Sequence, residues 1–326
     1  MKKQTLFSIK VVVTIVLFGL MYRAIRPAAI LSAFRSAEYS LVFAALLLMP
    51  LNIWLLEYKW RYLVRLIHPD ITFNESLGSL LGGYALGIVT PGRLGEYGRG
   101  FFIKHNTLNL VGLTIIDKFY NIGCTIAFGL PALMTLPWVF KLKTIDIIEM
   151  NVFISKSHLF ISIMILIAIL NILLIYLALD PRPVRSMIYS LQITFPRRNR
   201  ISQLAHGLDY FNAPQARKVL LLTIAHYVVF LAQYYLLIRS FAHLNILTSI
   251  RGASAILFAK TALPIAIADL GVDQLVAVQF FGQFGASPEA AFNASILMFA
   301  MNVLIPALIG VLFIGRIQIN KRKKDA

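Results

Sequence analysis

The sequence predicts an all-α polytopic membrane protein, and three observations carry the prediction. Of its 326 residues, 59% are apolar and only 14% are charged, against roughly 45 to 50% and about 25% in a soluble domain. Six apolar stretches approach the roughly 20 residues needed to cross a hydrocarbon core about 30 Å thick. Two further stretches are apolar but broken in their middles by Gly, Pro and charge.

The first span, 6–22, follows Lys2 and Lys3 and continues through Tyr22 to Arg23 without a small-residue cleavage site. It is therefore read as an uncleaved span and not a signal peptide. The second span covers 39–58. The first interrupted stretch, 75–107, carries Thr90-Pro91-Gly92-Arg93-Leu94-Gly95-Glu96-Tyr97-Gly98-Arg99-Gly100 at its centre. Span three, 111–138, holds Asp117, Lys118 and the single cysteine, Cys124, so no intramolecular disulfide framework is expected. Span four covers 158–179, and a basic connector, 180–218, holds Arg182, Arg185, Arg197, Arg198, Arg200, Arg217 and Lys218. Span five is 219–238. The second interrupted stretch, 250–285, breaks around Pro264, Asp269, Gly271 and Asp273, and the last span, 288–315, leads into a basic tail over 316–326.

The formal charge of +17 would suggest nucleic acid in a soluble chain. Here the basic residues gather between and after apolar segments, as the positive-inside rule and anionic headgroups require. A broken helix survives at membrane depth only where protein or a water-filled cavity satisfies the freed backbone. Each interrupted stretch is accordingly expected to be a re-entrant hairpin of two short helices. Both termini, a loop with Lys59, Arg61 and Arg65, the connector and the Lys321-Arg322-Lys323-Lys324 tail then face the cytoplasm, while Arg23, Arg26 and Arg35 fall outside. The chain becomes one transmembrane domain of two inverted repeats, about 1–140 and about 158–316, with about eight membrane segments. That organisation points to a secondary-transporter architecture with its site at the repeat interface.

Arg93, Glu96 and Arg99 are spaced by three, so a helix after Pro91 puts them on one face. With Asp117 and Lys118 they sum to +1. Such a set can neutralise itself by pairing and still leave guanidinium donors for a phosphate; it can equally be a set of structural pairs holding the hairpin to its neighbour. The glycines around Gly92, Gly95 and Gly98 lack the GxxxxGK[ST] pattern, so close helix approach explains them better than nucleotide binding. In the second half Lys260, Asp269 and Asp273 form a sparser set, read either as a Lys260–Asp269 pair or as caps on a helix beginning near Gly271. His226 is read as a packed polar residue or a proton relay. The other histidines show no HExxH spacing, and neither a metal nor a cofactor is expected.

The run Thr90-Pro91-Gly92-Arg93-Leu94-Gly95-Glu96-x-x-Arg99, with Asp117-Lys118 downstream and Leu263-Pro264-Ile265-Ala266-Ile267-x-x-Leu270-Gly271 late in the chain, resembles the flippase-like transmembrane domain of lysylphosphatidylglycerol synthases. The resemblance covers nearly the whole chain. It implies movement of a lipid or lipid-linked headgroup between leaflets, and it maps the family's first motif onto Pro91, Gly92, Arg93, Gly95, Glu96 and Arg99 and its acidic-basic pair onto Asp117 and Lys118. The second motif departs, with Ala268-Asp269 and Asp273-Gln274 where the family usually has Gly-Gly and then Arg-Glu. The chain ends about ten residues past its last span, so a soluble aminoacyl-transferase domain is not expected and lysyl-lipid synthesis is not either.

The resulting expectation is a non-enzymatic translocator of a phosphate-bearing lipid in the cytoplasmic membrane. Arg93 and Arg99 would meet the phosphate, Glu96 would position an arginine or meet an amine, and Asp117 and Lys118 would line or gate the cavity. Two alternatives stand beside it. One is a membrane-embedded transferase on polyprenyl-phosphate lipids with Glu96 or Asp117 as base, although no paired carboxylates stand at suitable spacing. The other is a structural subunit docking through its basic segments.

Overall fold

The structure is a computed structural model that describes residues 27–90, 92–104, 107–136, 156–182, 186, 211–263 and 270–322. All regular structure among the described residues is helical. Five helical stretches are long and apolar enough to cross a membrane: Tyr39–Val64, Asn109–Met134, Ile161–Leu179, Ala213–Phe241 and Pro288–Phe313. They match five of the six spans expected from hydropathy. The first expected span, 6–22, lies outside the described residues.

A short helix, α1 (Pro27–Arg35), precedes the long α2 (Tyr39–Val64). The first interrupted stretch forms α3 (Phe73–Ile88) and then a 3-10 helix, Leu94–Phe102. Next come α4 (Thr107–Met134), α5 (Lys156–Leu179) and α6 (Ala213–Phe241). The second interrupted stretch forms α7 (Ile246–Ala262) and α8 (Val272–Gly282). The last span is α9 (Pro288–Phe299), a π-helical turn (Ala300–Leu304) and α10 (Ile305–Arg322). At 1.5 Å per residue, α3, α7 and α8 are about 24, 26 and 17 Å long, short of the roughly 30 Å hydrocarbon core.

The two largest of four buried apolar clusters among the described residues hold the helices. Trp60, Leu63 and Val64 of α2, Leu80 of α3, Leu110, Leu113 and Ile116 of α4 and Ala216 and Val219 of α6 make one. Ala45 and Met49 of α2, Tyr234, Leu237 and Ile238 of α6, and residues of α7, α8 and α9 make the other. The end of α2 thus meets the start of α6, and the start of α2 meets the end of α6, so the two run antiparallel and span both cores. Each core holds one interrupted stretch. By contrast α5 leaves Ile165, Leu166, Ile169 and Ile172 exposed, the expected dress of a face that meets lipid tails.

Local chemistry sets both breaks. Helix α3 starts at Thr72, whose side chain accepts from the Glu75 amide at 3.3 Å, a standard N-cap. It ends where the Thr90 hydroxyl donates toward the Leu86 and Gly87 carbonyls and accepts from the Gly95 amide at 2.6 Å. Gly92 and Arg93 then both take left-handed conformations, φ 56° and 55°. Arg93 is the only non-glycine residue with positive φ among the described residues. Pro91, assigned to this break from sequence, lies outside the described residues, as do Pro264 and Asp269 at the second break. Past that second break Gly271 has φ 86°, and its amide is capped by Gln274 Oε1 at 2.8 Å.

The piece after Gly92 is a 3-10 helix of nine residues, far beyond the usual three or four. Its sequence has period three, matching three residues per turn. Arg93, Glu96, Arg99 and Phe102 fall on one stripe and Gly92, Gly95 and Gly98 on another. Gly95 lies against the Leu86 carbonyl, where a Cβ would collide with backbone. On the facing helix Gly83 and Gly87 make room for the Arg99 and Glu96 side chains. Gly95→Ala is therefore expected to push the two pieces apart and destabilise the protein by about 1–3 kcal/mol, the cost of overpacking. A thermal melt in detergent reads this, and an unchanged melting temperature would show that the pieces are not in backbone contact there.

Candidate functional site

Asp117 lies in the first half of α4 and is 2% exposed. A buried charge is costly unless paired, and two cations reach this one. Lys59 Nζ lies 2.8 Å from Oδ1 and Arg99 donates from its terminal nitrogen to Oδ2 at 3.0 Å. The Lys59 ammonium also donates to Asn121 Oδ1 at 2.6 Å and to the Thr223 hydroxyl at 3.3 Å. Arg99 lies over the Trp60 ring, 3.7 Å from its centroid, and donates to the Thr114 hydroxyl at 3.3 Å. Trp60 donates to Ser79 at 3.1 Å, and Ser79 donates to the Arg99 carbonyl at 2.8 Å. Helices α2, α3, α4 and α6 and the 3-10 piece are thereby tied around one buried charge cluster.

Lys59 corrects the sequence reading, which put it in a cytoplasmic loop with Arg61 and Arg65. It sits inside α2 and is fully buried. The signal was available: Ala45, Met49, Asn52, Leu56, Lys59 and Leu63 follow a helical stripe of three- and four-residue steps. Ending the span at residue 58 hid it. Arg61 is likewise in the helix, paired with the buried Glu57 at 3.1 Å, and Glu57 also accepts from Ser76.

A second group is more open. Glu96 is held between Arg93 and Lys118, and the Arg93 guanidinium lies 4.9 Å from the centre of the Tyr84 ring. The side chains of Arg93 and Lys118 keep 21% and 23% exposure, whereas Arg99 is 4% exposed. On the second-half side Lys260 of α7 pairs with Asp273 of α8 at 3.3 Å. Its sequence-assigned partner, Asp269, lies outside the described residues. The helix does begin at Gly271, with Asp273 in its first turn, so Asp273 both favours the helix start and pairs with Lys260.

These groups surround one space. A cavity of about 180 Å³ is lined by Arg93, Glu96, Arg99, Asp117, Lys118 and Lys260, together with His226 and apolar residues such as Leu80 and Leu257. All five first-half residues singled out from sequence reach it, and Lys260 joins them from the other half. Asp273 lines a smaller adjoining cavity of about 90 Å³. The breaks themselves, with Gly92 and Gly271, orient these walls without lining them. Five cations, Lys59, Arg93, Arg99, Lys118 and Lys260, stand against three carboxylates, Glu96, Asp117 and Asp273. The cluster carries a net charge of +2, and the larger cavity is lined besides by polar Asn121, Thr125 and Thr223 and by apolar Leu56, Leu80 and Leu257. Among the described residues no three His, Cys, Asp or Glu side chains are gathered to hold a metal ion.

No curated relative matches the chain. The family described as Lysylphosphatidylglycerol synthase TM region matches residues 7–310, and that span takes in both interrupted stretches and every residue of the charged cavity. The protein is a multi-pass membrane protein and belongs to this lipid-related membrane family.

Proposed function

We propose that the protein is a non-enzymatic translocator that moves a phosphate-bearing lipid or lipid-linked headgroup between leaflets of the cytoplasmic membrane. The observation that carries the reading is the net +2 of a cavity walled by both interrupted stretches among membrane-spanning helices. A charge at the bilayer centre costs about 2.5–3.5 kcal/mol on the insertion scale, so a net excess of positive charge is retained at a cost that an anionic substrate offsets. Arg93, Lys118 and Lys260 are the partly open cations and would meet the phosphate. Arg99, also assigned to the phosphate from sequence, is engaged by Asp117, Thr114 and Trp60, and in this proposal it holds the cavity wall in place.

The proposed architecture has six spans and two re-entrant hairpins, α3 with the 3-10 piece and α7 with α8, related as inverted repeats, with both termini cytoplasmic. The shortness of these helices and the association of each pair with its own core support it. A transport role in preference to a transferase role is supported by the state of the carboxylates. Asp117, Glu96 and Asp273 are each ion-paired, which leaves them poorly suited as general bases. The test is reconstitution into vesicles containing a fluorescent phosphatidylglycerol, with chemical quenching from outside. Protein is expected to expose the inner-leaflet fraction to the quencher. Quenching no deeper than in protein-free vesicles, across anionic lipids, would sink the translocator reading.

A further inference from the structure

His226 of α6 lines both cavities, the larger one with the charge cluster and the smaller one beside Asp273. Its ring packs against Phe230, 6.3 Å between centroids, and among the described residues no hydrogen bond or ion pair holds its nitrogens. An imidazole is the side chain whose charge changes near neutral pH, and ionisable groups at membrane depth are kept for a function by default. Each element around the ring brings a charged or titratable group. Lys59 of α2 donates to Thr223, one turn before His226. Tyr84 comes from α3, Arg93, Glu96 and Arg99 from the 3-10 piece, Asp117, Lys118 and Cys124 from α4, Tyr227 from α6 itself, Lys260 from α7 and Asp273 from α8. Phenols and thiols carry no charge near neutral pH, so five cations face three carboxylates. A proton on His226 adds a sixth cation, and an anion in the same cavity offsets the repulsion.

The smaller cavity supplies what a charged imidazole needs. An imidazolium donates from both nitrogens, and two buried acceptors without partners belong to residues of this cavity. The first is Asp273 Oδ1, since Lys260 takes only Oδ2, at 3.3 Å. The second is Asn52 Oδ1, at the end of a relay of buried amides. Gln233 donates to the Ala45 carbonyl at 3.0 Å and accepts from Asn302 at 2.8 Å. Asn302 also donates to the Met298 carbonyl at 3.2 Å and accepts from Asn52 Nδ2 at 2.6 Å. Backbone carbonyls only accept, so Ala45 and Met298 set the direction of the relay and leave Asn52 with an open acceptor. Buried polar atoms in native proteins are hydrogen-bonded. These two acceptors suit the N–H groups of an imidazolium, met directly or through one water.

We infer that His226 couples anion entry to proton uptake: a phosphate-bearing anion in the larger cavity and a proton on this imidazole bind together. The inference rests on the phosphate reading above and adds its coupling ion. A singly charged phosphodiester and one proton cancel, so the site carries the same net charge loaded as empty. Linkage makes the effect reciprocal, the anion favouring the proton by the factor with which the proton favours the anion. Anion binding therefore tightens as pH falls.

The test titrates the purified full chain in detergent, by calorimetry, with short-chain phosphatidylmethanol between about pH 5 and 8, the window of an imidazole. This probe is a phosphodiester whose own charge is fixed across that window. Affinity is expected to rise by up to about tenfold for each unit that pH falls, the limit for one linked proton. Buffers of differing ionisation enthalpy should report uptake of up to about one proton per bound anion. His226→Gln keeps a polar side chain at the cavity wall without a titratable nitrogen, and its affinity should no longer follow pH; His226→Asn serves if that variant does not fold. Wild-type binding that is equally tight across the window, with no proton uptake, overturns the coupling and leaves the phosphate reading standing, whether or not either variant folds. A pH dependence retained in the folded variant assigns the proton to another group and overturns the role of His226. No binding at any pH takes the phosphate reading down together with the coupling.

Discussion

Arg93→Gln is expected to slow lipid transfer in the vesicle assay by roughly 10- to 100-fold, the loss of one or two charge-assisted hydrogen bonds to phosphate. Arg93 lines both cavities, keeps part of its side chain open, and pairs with a carboxylate that Lys118 also holds. Its removal therefore leaves Glu96 with a counter-ion, and the variant should fold and insert. The left-handed backbone at this residue, φ 55°, costs Gln what it costs Arg, so strain does not confound the comparison. Arg93→Lys should be impaired too, because an ammonium cannot reproduce the planar two-pronged contact. Wild-type transfer by Arg93→Gln would remove this residue from the substrate path and turn the Arg93–Glu96–Lys118 group into a structural clamp.

Asp117→Asn should have the largest effect on stability. The carboxylate is the counter-ion of two buried cations, Lys59 and Arg99. The amide leaves both uncompensated, and breaking a buried pair by removing one partner costs about 3–5 kcal/mol. The readout is a thermal melt in detergent, with native-gel mobility as a folding control. Adding Lys59→Met to Asp117→Asn should recover part of the loss, since it removes one of the stranded charges and places an apolar side chain on a helix face that packs in the core. Additive losses in the double variant would show that Lys59 and Asp117 do not interact, and would sink the view that this cluster ties α2 to α4. Lys118→Gln, by comparison, removes a partly open charge and should cost far less stability.

Much of this architecture was legible in the chain. Runs such as 158–179 and 219–238 are apolar over the length of a bilayer crossing, and the helices found there follow from length and composition with no help from neighbours. The Arg93-x-x-Glu96-x-x-Arg99 spacing marks a charged helical face, and Gly92-x-x-Gly95-x-x-Gly98 marks close helix approach, without specifying the helix type. Period three is the signature of the 3-10 geometry found, and Leu86 backbone against Gly95 is what that geometry needs. Lys59 reads as part of a polar loop because Arg61 and Arg65 follow it closely and Glu57 precedes it, which ends the apolar run at residue 58. Its helical spacing from Asn52 carried the contrary signal. Nothing local could have paired Lys260 with Asp273, since that contact depends on how α7 meets α8 across a break.

By itself the sequence determined the membrane class, the positions of five of the spans, and five charged residues that line the larger cavity, because each depends on local composition, run length and spacing along one helix. Tertiary structure alone decided how those charges divide. Arg99 and Lys59 are committed to Asp117 under Trp60, while Arg93, Lys118 and Lys260 stay partly open to the cavity. The Gln233–Asn302–Asn52 relay joins residues as much as 250 positions apart. Ion pairs and hydrogen bonds act over a few ångströms of space, and separation along the chain does not report that distance once helices fold back on one another.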